Sequence, residues 1–241
     1  MLRCALVTGG GVRIGRALAL ALAREGLRVV VHYHSSSEGA DDVVRTIRDS
    51  GGEAVAIRAD LARVEEIERL AREADGAFGG VDVLVNNASV FPPERLEQTD
   101  EALWDHTLAV NLRAPFFLTK LLAPGMRTRG GGVVINLADL AGLQPWAAYA
   151  AHSISKAAIV QLTKVSARAL APEIRVNAIA PGAVLPPESF GADEVHALAE
   201  GAPLKVIGSP DDVVGAMLYL LHAPFVTGIV LPVDGGRLLR S

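Results

Sequence analysis

The chain has 241 residues, half of them hydrophobic, a formal net charge of −4 and one cysteine. That length buries one large core and suits a single domain over 1–241, while a pI near 5.9 gives no broad basic field for nucleic acid. The lone Cys4 excludes an internal disulfide, and the six histidines fall at no metal-ligand spacing, so no metal is expected. The start shows no export signal, and no apolar stretch approaches the ~20 residues of a membrane span. A cytoplasmic, membrane-free protein is expected.

Short β-branched runs recur at 4–8, 28–33, 54–58, 82–86, 132–137, 174–179 and 228–233, separated by amphipathic segments of helical length. Near-continuous apolar strands alternating with helices signal parallel strands buried on both faces, because each parallel crossover needs a covering helix. The expected fold class is α/β, a doubly wound, Rossmann-type parallel sheet of about seven strands with helices on both faces.

The first strand runs into Thr8-Gly9-Gly10-Gly11-Val12-Arg13-Ile14-Gly15 and then an amphipathic stretch. Glycines there let the backbone turn tightly and approach a pyrophosphate, which the free N–H groups of the next helix favour. An ordinary strand-to-helix turn is the competing reading, and the strand before and helix after weigh against it. The second strand ends in Val31-His32-Tyr33-His34-Ser35-Ser36, with no Asp or Glu to hold ribose hydroxyls, which favours NADP(H) over NAD. Arg13 is expected to reach a 2′-phosphate, with His34, Ser35 and Ser36 adding donors. Asp60, before Leu61, is placed to accept from adenine or to cap a helix. Between 181 and 208, prolines and glycines bracket a short helix-like piece, read as a substrate lid over 183–205.

With Asn86-Asn87-Ala88-Ser89 after the fourth strand, Asn111, Lys156, Pro181-Gly182 and VTGIVLPVDGG near the end, the whole chain resembles the short-chain dehydrogenase/reductase superfamily. Arginine inside TGGGVRIG, then HYHSS, NNASVF, the aspartate of INLAD and the closing segment resemble the pteridine reductases and the bacterial dihydromonapterin reductases. The resemblance implies NADP(H) held by Gly9, Arg13, Ile14 and Gly15, by Tyr33, His34, Ser35 and Ser36, by Asp60 and Leu61, by Asn87 and Ala88, and by Lys156, Pro181 and Gly182. It implies that Phe91 sandwiches a pterin against the nicotinamide, with Ser89 bonding nearby, a task suited to a flat ring. A loop aromatic plugging the core is the plainer reading of Phe91. The resemblance further implies that Asp139 stands where most members carry a catalytic serine. It also implies a homotetramer, with contacts at the Lys156 helix and the C-terminal strand, in which Arg240 approaches a neighbour's site.

One position departs from the superfamily. Its Tyr-x-x-x-Lys is here His152-Ser153-Ile154-Ser155-Lys156. In the usual mechanism the phenol gives a proton as hydride arrives, while the lysine bonds the ribose. Helical spacing sets His152 beside Lys156, and a nearby cation favours neutral imidazole, a poor acid, unless Asp139 pairs with it. Three accounts follow: His152 with Asp139 and water supplies the proton, Tyr149 substitutes, or the protein binds NADP(H) with little activity. A dihydropterin imine needs less help from an acid than a ketone does. The expected function is NADPH-dependent reduction of a pterin, dihydropterin or dihydrofolate. The alternatives are a reductase of another carbonyl or 3-oxoacyl substrate, and a catalytically impaired NADP(H)-binding sensor or scaffold.

Overall fold

The computed structural model describes residues 3–186 and 190–239. The strands are β1 (Cys4–Val7), β2 (Arg28–Tyr33), β3 (Ala54–Arg58), β4 (Val83–Asn86), β5 (Gly132–Leu137), β6 (Ile174–Pro181) and β7 (Val230–Val233). The helices are α1 (Arg13–Arg24), α2 (Ser37–Asp49), α3 (Val64–Ala77), α4 (Glu101–Leu108), α5 (Ala114–Thr128), α6 (Ala150–Leu170), α7 (Ala192–Glu200) and α8 (Pro210–His222). All seven strands pair in parallel, in the order β3-β2-β1-β4-β5-β6-β7.

Two-residue periodicity sorts the strand side chains into two cores. Ala5, Val7, Val29, Val31, Val83 and Val85 face α1, α2 and α8, whereas Cys4, Leu6, Val30 and Leu84 face α3 and α5. Every residue of β1, β4 and β5 is buried, which is why these runs read as unbroken apolar stretches rather than alternating ones. β7, at the sheet edge, is mostly half-buried. It starts later than its apolar run because Asn177 Oδ1 accepts from Ile229 N at 3.2 Å, so a side chain stands where a ladder carbonyl would.

The chain crosses from β3 back over β1 to β4, and the loops leaving the carboxyl ends of β1 and β4 diverge there. A crevice at such a switch point is where open α/β sheets bind ligands. At the opposite edge of these strands the Asp82 carboxylate accepts from Arg3 N at 2.8 Å and from Arg129 Nε at 3.0 Å, an anchor remote from the crevice. Between α4 and α5 the helix widens into one π-type turn, Ala109–Arg113, a distortion common at functional sites. It carries Asn111 inward, where it is 1% exposed.

Candidate active site

The first wall of the crevice is the glycine loop. Gly9 takes φ +61, and a Cβ on Gly15 would stand 2.0 Å from Gly9 O, so neither position accepts a side chain without rearrangement. Gly9 N donates to His32 Nδ1 at 3.1 Å, and His32 Nε2 donates to Ala59 O at 3.0 Å. Burial lowers the His32 pKa to about 4, which keeps the Nδ1 lone pair available for that clamp. On the other side Asn87 Nδ2 donates to Thr8 O at 2.9 Å and Gly9 O at 3.2 Å, and Thr8 Oγ1 accepts from Asn87 N and Ala88 N. α1 then begins with no side-chain cap and no acidic residue in its first turn, leaving its N–H groups for an anion.

A cavity of about 390 Å³ along this loop brings together Gly9, Arg13, Ile14, Gly15, Tyr33, His34, Ser35, Ser36, Asp60, Leu61, Asn87 and Ala88. Its donors and the absence of a carboxylate at the end of β2 fit an NADP-type dinucleotide. The Asp60 carboxylate is partly engaged, accepting from Ala62 N at 2.9 Å, while the residue preceding α3 is Arg63. The Arg13 guanidinium is engaged by the Leu185 carbonyl, to which it donates at 2.7 Å, while the residue still lines this cavity with His34, Ser35 and Ser36, and the next cavity as well. The cation beside the turn is Arg58, whose Nε donates to His34 O at 3.2 Å, a residue that sequence reasoning passed over.

The second cavity, about 680 Å³, gathers Phe91, Asp139, Tyr149, His152, Lys156, Pro181 and Gly182 around the carboxyl ends of β5 and β6. Lys156 is 3% exposed, its Nζ donates to Leu137 O at 2.8 Å, and burial lowers its pKa to about 8 against a smaller opposing pull from Asp139. His152, four residues earlier on α6, is 2% exposed. Its Nδ1 lies 3.1 Å from Val90 O, and a carbonyl only accepts, so that nitrogen carries the hydrogen. Nε2 is then left without a hydrogen-bond partner, 3.7 Å from Asp139 Oδ2. That separation suits an ion pair and is too long for a hydrogen bond. Asp139 Oδ1 accepts from Ala141 N at 2.8 Å, which fixes the carboxylate at the mouth of the short turn after β5.

Asn111 ties this half together. Its Nδ2 donates to Val90 O and Ser155 Oγ, both at 3.0 Å, and its Oδ1 accepts from Val90 N at 2.8 Å and Ser89 Oγ at 3.1 Å. The Ser89 hydroxyl expected beside a substrate is thus turned onto Asn111. Phe91 is 47% exposed, which sets aside a core plug. One face of its ring stacks on Tyr149 at 4.2 Å and 8°, and His152 meets it edge-on at 4.5 Å. Tyr149 is therefore an aromatic neighbour of Phe91, and its phenol has no hydrogen bond among the described residues. Trp146, not foreseen from sequence, completes the cluster at 6.4 Å from Phe91. Arg240 lies outside the described residues.

A dinucleotide groove opening onto a buried lysine, a histidine and a carboxylate suits a nicotinamide-dependent oxidoreductase. The chain belongs to the short-chain dehydrogenase/reductase family: the family model described as "Enoyl-(Acyl carrier protein) reductase" matches residues 11–237. It is 36% identical to 3-oxoacyl-(acyl-carrier-protein) reductase FabG of Staphylococcus epidermidis, over 98% of this chain and 99% of that protein. It is 37% identical to 3beta-hydroxysteroid dehydrogenase 1 of Eggerthella lenta, over 97% of this chain and 93% of that protein. In structure it is similar to FolM alternative dihydrofolate reductase 1 from Brucella suis in complex with NADP, with TM-score 0.94 and 33% identity over 99% of this chain and 96% of that one. Among the described residues no helix is long and apolar enough to cross a membrane.

Proposed function

We propose that this protein is an NADPH-dependent reductase of a pterin, dihydropterin or dihydrofolate. The observation that carries the reading is the group formed by Asp139, His152 and the half-exposed Phe91 ring on one cavity wall. A carboxylate and an imidazole with a free Nε2 suit a flat heterocycle rich in N–H groups, and a ring face suits its stacking. The likeness to a dihydrofolate reductase bound to NADP supports it.

NADP(H) is the cofactor, and bound NADPH supplies the hydride. The glycine loop and the N-terminus of α1 would hold the pyrophosphate; Lys156, one N–H spent on Leu137 O, would offer the others to the nicotinamide ribose. Protonated His152 gives its Nε2 proton to a ring nitrogen, with Val90 O fixing the ring orientation and Asp139 Oδ2 offsetting the charge. Water entering the cavity restores that proton. The lid we propose over 183–205 has residues 187–189 outside the described residues.

The curated relatives favour a second reading, reduction of a 3-oxoacyl or other carbonyl substrate. A ketone passes through a full alkoxide and depends more on its acid, which the Tyr-to-His change weakens. Steady-state turnover of dihydrobiopterin and dihydrofolate against a ketone panel tests the two: pterin turnover is expected, and turnover of ketones alone contradicts it. If neither class is turned over although NADPH binds, the protein is a nucleotide-binding sensor or scaffold.

We further propose assembly as a homotetramer. Phe116, Ile154 and Val165 lie exposed on α5 and α6, and Tyr219, Phe225 and Ile229 lie exposed around α8 and β7, two apolar faces of the kind that subunit contacts cover.

A further inference from the structure

Arg237 follows β7 in the short turn Arg237–Leu239 and lines the 680 Å³ cavity that holds His152 and Asp139. Its guanidinium has no ion pair or hydrogen bond among the described residues. The nearest candidate in sequence, Asp234, is spent on backbone, accepting from Gly236 N at 2.9 Å and Leu238 N at 2.8 Å. Arg13 and Lys156, the other cations on this wall, are occupied by the carbonyls of Leu185 and Leu137. The arginine is also given room. A Cβ on Gly201 would lie 3.1 Å from Leu198 O and 3.2 Å from Arg237 Nη1, so a branched residue there would crowd the guanidinium. Val184, Leu198 and Arg237 line an adjoining cavity of about 410 Å³ as well, in which Phe91, Asp139 and His152 take no part, and whose acids among the described residues, Asp212 and Asp234, already accept from Ser209 N and from Gly236 N and Leu238 N. Arg237 therefore stands at the passage leading away from the reacting groups.

A half-buried guanidinium without a counter-ion, on a wall where Asp139 is the one acid among the described residues, awaits an anion. We propose that Arg237 recognises a carboxylate or phosphate on the non-reacting end of the substrate, so that the cavity prefers a ring bearing an acidic tail over the same ring with a neutral one. This deepens the reductase reading and rests on it for the identity of the ring.

The test is the ratio of kcat/KM for dihydrofolate, whose tail carries carboxylates, to that for dihydrobiopterin, whose tail is neutral, measured with NADPH at low salt. Arg237→Gln is expected to lower the ratio by about tenfold, through KM, since an ionic hydrogen bond contributes roughly that factor. Arg237→Lys should recover part of it, and Gly201→Val should reproduce the loss with Arg237 intact. A ratio unchanged by Arg237→Gln overturns the proposal. If the wild type turns over neither pterin, the reductase reading fails separately. The same ratio is then taken for acetoacetyl-coenzyme A against acetoacetyl-N-acetylcysteamine, which share a reacting end and of which only the first has a long tail bearing phosphates. Should all four be inert, quenching of tryptophan fluorescence, from Trp104 and Trp146 together, in the NADPH-loaded protein gives the ratio of binding constants for the two pterins. A fall in the variant supports anion recognition, and no change overturns it.

Discussion

His152 is fixed by its partners more than by its place in the chain. Val90 O, 62 residues earlier, holds the Nδ1 hydrogen and turns Nε2 toward Asp139. His152→Phe keeps an aromatic of similar size but has no proton to give, and kcat for the dihydropterin should fall about 100-fold or more, the usual contribution of a positioned acid; a kcat within a few fold would assign the proton to water. Lys156 carries its charge only below about 8, because burial lowers its pKa. NADPH affinity should therefore weaken as pH rises through that value, and a flat binding profile contradicts the ribose role. His32 works in the other direction. Its pKa falls from 6.5 unfolded to about 4 folded, so between these values the unfolded chain binds more protons and stability is lost as pH drops from 6.5 toward 4. In denaturant melts His32→Gln should flatten that part of the pH profile. The pairing of His152 with Lys156 was legible in sequence, since helical spacing sets residues four apart on one face. The Val90 carbonyl was not, because only tertiary structure brings that backbone to α6, and the destination of Arg13 escaped for the same reason.

The elements that position these groups are mostly legible from periodicity. Strand runs and amphipathic helices gave the sheet, the order of its layers and the glycine loop, since parallel strands must bury both faces. The π-type turn at Ala109–Arg113 had no such signal: it adds a residue to a helical turn without altering the apolar pattern. The late start of β7 was hidden too, because it depends on Asn177. At this scale the glycine loop is the most exacting element. Gly15→Ala places its Cβ 2.0 Å from Gly9 O in the present backbone. The loop must move, and NADPH binding should be lost in calorimetric titration while the far-ultraviolet spectrum stays native. Binding retained at wild-type strength would show the loop to be far more plastic than its contacts imply.

Across the whole molecule, one continuous sheet carries a dinucleotide groove on one side of the switch point and the cavity of Asp139, His152 and Lys156 on the other. Asn87, Ser89, Arg13 and Ile14 are shared by both. The two exposed apolar faces lead to an expected tetramer of about 100 kDa from a 25.2 kDa chain, with the D₂ symmetry common among four-subunit assemblies. Phe116→Glu should shift sedimentation toward smaller species; a wild-type monomer would remove the proposal. The central claim concerns chemistry, and one cuvette tests it most directly: the purified protein is loaded with NADPH, dihydrobiopterin and then dihydrofolate are added, and the nicotinamide absorbance is followed. Its decay on adding a pterin is the predicted result. Tight NADPH binding with no decay on any pterin, while ketones are reduced, would contradict the account.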